Sequence, residues 1–365
     1  MIKVRIENLT PDMIVARNIY SSDGRILLHA GIKLNENYIN RLKNLGIISV
    51  YIKDEFDDEL NLEIREPVSE ETRAETIKEV KNAFEALEQN RSMNTRMVKS
   101  MVNKILDEIL DNHDILINLC DIRTFDDYTF GHSVNVCILS IMAGITMGYH
   151  DLKLKELGIG ALLHDIGKVY LDPAVLNKPD DLTREEYAEV KRHTEYGFEI
   201  LRKYPDIPLL AAHIAFQHHE RWDGQGYPRG LAGEDIHEYA RIVAVADVYD
   251  ALLSDRPYRP SYTINQAITI LNRMSGIYLD PKCITALVAN IAVYPIGTIV
   301  ELNTGDIGIV VDVNKSAPTR PILKMIYNKT TNRLYRPYEV DLSKLTTVII
   351  TRSLTREELG EILKN

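Results

Sequence analysis

Hydrophobic and polar positions change texture three times along the chain. The first 62 residues mix short alternating runs with one helical pattern. Ile2-Lys3-Val4-Arg5-Ile6 alternates as a strand does, and Ile19-Tyr20 and Ile26-Leu27-Leu28 flank Asp23-Gly24. That dipeptide suits a tight hairpin, because glycine reaches positive φ cheaply. Asn35 is placed to cap a helix through Tyr38, Ile39, Leu42 and Leu45; Gly46 closes it, and Ile48–Ile52 returns as a strand. The pattern predicts a small α/β accessory module over 1–62. It holds no cluster of reactive side chains, so packing scaffold is a simpler reading than sensor or docking unit.

A polar stretch with Pro67 then reads as a hinge. Beyond it Ile77, Val80, Phe84 and Leu87 recur at helical spacing, and Met97, Met101 and Ile105 form a second stripe. We read 63–107 as a helical linker whose stripe either docks on the next domain or pairs with a second copy, a homodimer through helices 70–119. From 108 to 293 nearly every segment reads helical. Thr183-Arg184-Glu185-Glu186 is a capping box, and prolines at 205, 208, 228, 257, 260 and 281 punctuate the helices. From 294 to 365 the runs Ile299–Leu302, Ile307–Val313, Ile322–Tyr327 and Thr346–Ile350 predict a small β-rich domain. Thr355-Arg356-Glu357-Glu358 caps a final helix. The expected fold class is multidomain and mainly α, with an all-helical centre between a small α/β module and a β-rich appendage.

Composition narrows the function. A chain of 365 residues with 45% hydrophobic and 26% charged residues is ordinary globular material for two or three domains. A net charge of −10 would repel polymeric nucleic acid and anionic membranes, so an anionic substrate needs a local cluster of cations. No run of about 18 apolar residues suggests a membrane span, and the start lacks a signal-peptide core. Cys120, Cys137 and Cys283 stand far apart, without the spacing of a disulfide framework or zinc pair, which points to the reduced cytoplasm.

The histidines carry the chemistry. Ten occur, and His132, His164, His193, His218 and His219 lie in informative contexts: Gly131-His132-Ser133, His164-Asp165-Ile166-Gly167-Lys168, Lys191-Arg192-His193 and His218-His219-Glu220. Ala246-Asp247-Val248-Tyr249-Asp250 adds an isolated acid. Five imidazoles with Asp165 and Asp247 suffice for two divalent ions with places left for water and substrate. Asp165, beside His164, is the natural bridge. Lys168 would share the His164 face if one helix ran through both, where it could neutralise a developing oxyanion. Singly, each element is a common surface feature, and His29, His113, His150, His213 and His237 are read as such. The conjunction is far less ordinary.

Here the sequence resembles a known family. Ala161-Leu162-Leu163-His164-Asp165-Ile166-Gly167-Lys168 is similar to the signature of HD-superfamily phosphohydrolases. His218-His219-Glu220-Arg221-Trp222-Asp223-Gly224-Gln225-Gly226-Tyr227-Pro228 is similar to the mark of the HD-GYP subfamily, as are Ala240-Arg241-Ile242 and Asp255-Arg256-Pro257-Tyr258-Arg259. The resemblance spans about 120–290. It implies an all-helical domain that hydrolyses cyclic di-GMP with two divalent ions, iron or manganese most often and zinc also accommodated. A hydroxide between the ions would attack phosphorus in line, giving linear pGpG and, by a second cut, GMP.

Carried over by position, His132, His164, Asp165 and Asp247 would hold one ion, and Asp165 would bridge to a second held by His193, His218 and His219. Asp165 and Lys168 would be catalytic. Lys168, Tyr227, Arg256 and Arg259 would contact substrate, and Trp222 and Tyr227 could stack on guanine. Where some members carry a third-metal glutamate this chain has Tyr128, after Asp126 and Asp127, so two ions are expected rather than three. Asp180-Asp181 and His237 also depart from the common pattern, at the rim of the site. Two rival readings are a hydrolase of another cyclic dinucleotide and a sensor that binds cyclic di-GMP without cutting it. Cys137 lies off the His132 helical face, no glycine-rich phosphate loop is present, and Ser254-Asp255-Arg256 reads as a helix end, so nucleophilic alternatives do worse.

Overall fold

The computed structural model describes residues 2–21, 25–47, 49–53, 66–112, 115–117, 128–176, 178, 180–254 and 262–364. In the N-terminal module, β1 (Ile2–Arg5) pairs antiparallel with β4 (Ser49–Ile52), and β2 (Ile19–Tyr20) with β3 (Ile26–Leu28). The Asp23-Gly24 turn lies outside the described residues. Helix α1 (Glu36–Asn44) starts as expected: the Asn35 side chain accepts from the Tyr38 amide at 2.9 Å. Val15, Leu34, Leu42, Val50 and Ile52 are buried beneath these pieces as a core of their own.

The next two helices are α2 (Glu70–Glu88) and α3 (Thr95–Asp111). Their apolar stripes face inward: Val80, Phe84, Leu87, Val102 and Ile105 join one continuous core with residues of the central domain, and Met101 is buried too. The stripe therefore docks within the chain and is not available to a second copy. The stretch read as a hinge is packed as well. Val68 is fully buried, and the Ser69 amide donates to Glu108 Oε2 at 2.7 Å. Helix α3 runs without a break across the 107/108 boundary drawn from sequence.

The central domain continues with α4 (Tyr128–Thr146), α5 (Asp151–Leu162), α6 (Pro173–Leu176), α7 (Arg184–Lys191), α8 (His193–Leu201) and α9 (Leu209–Gln217). Helices α10 (Glu238–Leu253), α11 (Ile264–Met274) and α12 (Pro281–Val288) complete it. Thr183 and Glu186 form the expected capping box on α7. Val134, Val136, Ile138, Leu139 and Ile141 are all buried, so α4 is covered on every side, as a central helix must be. No helix among the described residues is long and apolar enough to cross a membrane.

The C-terminal domain is a five-stranded antiparallel sheet in the order β8-β7-β6-β5-β9. Its strands are β5 (Ile299–Leu302), β6 (Asp306–Asp312), β7 (Ile322–Asn328), β8 (Arg333–Asp341) and β9 (Ile350–Leu354). Helix α13 (Arg356–Lys364) follows, with Thr355 and Glu358 exchanging the two bonds of a capping box. Two expectations are corrected. The strand expected at Thr346–Ile350 begins only at Ile350, and β8 has no counterpart among the expected runs. Pro337 sits in β8, which is tolerated because β8 is an edge strand with one side free of ladder bonds.

Candidate metal centre

Three histidines reach the site by one device. His164, His193 and His218 each stand one or two residues past the end of a helix: α5, α7 and α9 respectively. The last carbonyls of a helix have no partner within it. Each imidazole Nδ1 bonds the carbonyl three residues back: Ala161 at 2.8 Å, Val190 at 2.6 Å and Ala215 at 3.0 Å. A carbonyl can only accept, so each Nδ1 carries the proton and each Nε2 presents a lone pair. Those lone pairs converge. His193 Nε2 and His218 Nε2 are 3.4 Å apart, and Asp165 Oδ1 lies 3.4 Å from the first and 3.8 Å from the second.

Asp165 arrives there because the chain turns sharply. Helix α5 stops at Leu162, and a short tight helix, Ile166–Tyr170, follows the His-Asp pair. Lys168 therefore does not share a continuous helical face with His164, as sequence spacing suggested. It curls back to place Nζ 2.5 Å from Asp165 Oδ2. Gly167 permits the turn. A Cβ there would sit 1.9 Å from the His193 carbonyl oxygen and 2.4 Å from the Gly197 amide, so only glycine lets this segment lie against α8.

The donor atoms form two overlapping groups, each within 4.8 Å: Asp165, His193, His218 and His219, and His132, His164 and Asp165. Asp165 belongs to both, its Oδ2 being 3.3 Å from His164 Nε2. All but His219 are buried. His164 Nε2 and Asp165 Oδ1 have no hydrogen-bond partner, and such buried orphans cost about 1–3 kcal/mol each. Facing lone pairs and an orphaned carboxylate oxygen are what a cation would satisfy, so the residues present fit one. Protonation agrees. Burial alone would raise Asp165, but Lys168 and His164 hold its carboxyl well below the usual range. Burial lowers His193 to about 4, and burial with His218 beside it holds His219 well down. Ionised carboxylate and neutral imidazole are the forms that bind metal.

His132 is held differently. Its Nδ1 lies 2.6 Å from Asp250 Oδ2 and its Nε2 lies 3.0 Å from Asp247 Oδ1. Burial would lower its pKa, but the two carboxylates raise it to about 10, and His132 in turn lowers Asp247 against the effect of burial. Asp247 reaches the donor set through His132 rather than joining either tight group. Asp250, 1% exposed, carries no role in the sequence pattern alone; its signal is a second carboxylate three residues past Asp247 on one helix face.

The segment after His219 folds back over the site. Glu220, also buried, accepts from the Arg229 and Leu231 amides at 2.8 and 3.0 Å, and Gly226 has room for no Cβ against Glu220 and Arg221. Tyr227 is thereby stacked on His219, with centroids 4.9 Å apart. Lys191 places its ammonium 5.8 Å from the Tyr227 ring and 5.1 Å from the exposed Tyr187 ring, a cation and an aromatic that sequence reasoning did not select. Trp222 faces Arg241 instead, 5.7 Å away, and Arg241 is bound to Asp280. His213 packs against Phe198, and His237 accepts from the Tyr239 amide at the start of α10, so both are structural. Cys137 is buried, its thiol pushed up by that burial. Arg256 and Arg259 lie outside the described residues, as do His113, Cys120, Asp126 and Asp127.

Comparison with known proteins fits this geometry. Residues 126–283 match the family model described as an HD domain. Over that range the central segment is similar to HD domains. Residues 299–362 match a KOW domain associated with HD domains. A cyclic di-GMP phosphodiesterase of Pseudomonas aeruginosa is 37% identical over 229 residues, 63% of this chain and 55% of that protein. The response regulator RpfG of Xanthomonas campestris, named a cyclic di-GMP phosphodiesterase, is 43% identical over 153 residues, 41% and 40% of the two chains. The matches span about half the length of these curated relatives. An HD-GYP-type protein of Bdellovibrio bacteriovorus shares the fold at 23% identity and a TM-score of 0.51, over 78% of this chain and 97% of its own.

Proposed function

We propose that this HD domain is a metal-dependent phosphodiesterase that opens cyclic di-GMP to linear pGpG, with GMP as the product of a second cut. The observation that carries the proposal is the convergence of fixed Nε2 lone pairs on one carboxylate, Asp165, shared by both donor groups. His132, His164, Asp165 and Asp247 would hold one divalent ion, and Asp165, His193, His218 and His219 a second. Iron, manganese and zinc all accept such a mixed nitrogen and oxygen set. Bound divalent ions supply Lewis acidity toward a phosphate oxygen and lower the pKa of water.

The protein's own groups do the rest. Asp165 orients the two donor groups against each other. Lys168, held on Asp165, keeps an ammonium where charge builds on the phosphate. Tyr227 offers a ring backed by His219, and Lys191 adds a second cation at the mouth, so a dinucleotide can set a base on an aromatic and a phosphate between cations. These charges answer the −10 net charge of the chain.

One relative, a 3′3′-cGAMP-specific phosphodiesterase of Vibrio cholerae, is 39% identical over 160 residues, 44% of this chain and 35% of its own, so base identity is the open variable. The test is anaerobic purification with metal counting, then turnover of cyclic di-GMP beside 3′3′-cGAMP. We expect faster cleavage of cyclic di-GMP and metal at a stoichiometry of two. Faster cGAMP cleavage would reassign the substrate. Tight binding of cyclic di-GMP by fully metallated protein with no product would make the chain a sensor.

A further inference from the structure

Helix α2 lies outside the segment matched by the HD family, yet one of its side chains reaches the site through buried groups. Arg73, 4% exposed, donates from Nη1 to Asn135 Oδ1 at 2.9 Å. Asn135, on α4, donates from Nδ2 to Asp250 Oδ1 at 2.9 Å. The other oxygen of Asp250 meets His132 Nδ1 at 2.6 Å. We propose that Arg73 is a positioning residue for the His132 corner of the donor set, acting through Asn135 and Asp250. The proposal rests on reading the cluster as a metal centre.

The argument is one of direction. A guanidinium has donors only, so it forces the Asn135 amide to turn its oxygen toward α2 and its NH2 toward Asp250. That NH2 occupies one carboxylate oxygen and leaves the other to accept from His132 Nδ1–H. Nε2, on the Asp247 side, is then the nitrogen that would give up its proton to bind metal. Each link dictates the next over three helices: α2, α4 and α10. Arg73 is itself anchored where α2 begins, its Nε donating to the Val68 carbonyl at 3.4 Å and its Nη2 lying 3.8 Å from Glu66. One turn away, Glu70 lies 3.5 Å from Arg17 of the N-terminal module. The line therefore runs from the start of α2, one turn from the Arg17–Glu70 pair, to the His132 corner.

The test uses the full chain, with zinc as a diamagnetic probe titrated against a competing chelator, and 15N imidazole spectra of the zinc-bound protein to read the His132 tautomer. Arg73→Met should weaken the affinity of one of the two zinc ions by about tenfold, the low end for outer partners of a metal ligand. It should also mix the His132 tautomers, and Arg73→Lys should restore both. Asn135→Leu cuts the same line from the other side and serves if the methionine variant does not fold. A folded variant of either kind with wild-type zinc affinity and an unchanged His132 tautomer would overturn the proposal alone. A wild-type chain that takes up no zinc would bring it down together with the metal-centre reading.

Discussion

The two corners of the donor set are built on opposite principles. At the His164, His193 and His218 corner, backbone carbonyls at helix ends fix the imidazoles, and His164 Nε2 and Asp165 Oδ1 lack hydrogen-bond partners. At the His132 corner, side chains from α10 do the fixing, and the imidazole sits between two carboxylates. Backbone anchoring is set by helix packing and leaves neutral donors waiting for a cation. Carboxylate anchoring holds a proton until a metal displaces it. One site can thus treat its two ions differently, with the second corner open to adjustment through residues far away.

Asp165 is the point at which the corners meet, so its loss should have the largest effect. Asp165→Asn is expected to remove metal from both groups and to lower cleavage by about a thousandfold or more. Elemental analysis and a cyclic dinucleotide assay check this, and full metal content in that variant would separate the corners altogether.

The next effect is one of pH on metal-free protein. Folding holds His193 near pKa 4 against an ordinary 6.5, so protons bind the unfolded chain first. Stability is complete above about pH 6.5 and falls as pH drops toward 4, by roughly 3 kcal/mol from this group. His132 has the opposite sign. Its raised pKa adds stability fully present below 6.5 and lost as pH climbs through about 10. Denaturant titrations of chelator-treated protein across this range measure both flanks, and a level curve from pH 7 to 5 would contradict the backbone-anchored corner.

Asp250→Asn should act on one corner alone, weakening one ion by about 10–100-fold while the other stays. Competitive metal titration resolves the two, and equal weakening of both would merge them. The smallest change is expected at the mouth. Tyr227→Ala should raise KM about tenfold through loss of a stacking face, with Tyr227→Phe close to wild type. A kcat effect as large as the KM effect would move Tyr227 from binding into the chemistry.

What could be read from sequence follows the same division. His164-Asp165 and His218-His219 are legible because adjacency marks them and helix ends do the positioning locally. Lys168 was selected, but its geometry was not, since the break after Leu162 depends on Gly167 meeting a backbone 26 residues on at His193. Asp250 was overlooked because its partner, His132, is 118 residues away. Arg73 had no local signal whatever. The stripe of Val80, Phe84 and Leu87 was plain, but a stripe states that a face is covered and not by what. In the C-terminal sheet, β8 escaped because Pro337 and a charged edge hide the period-two pattern.

Helices α2 and α3 share a core with the HD segment although they precede it, which bears on how such a chain can be cut and recombined. A fragment started at residue 126 would bare the apolar bed of Val80, Phe84 and Val102 and strand the Asn135 amide oxygen. Fusions that graft a new N-terminal module should be joined upstream of Glu66, keeping both helices with the HD segment.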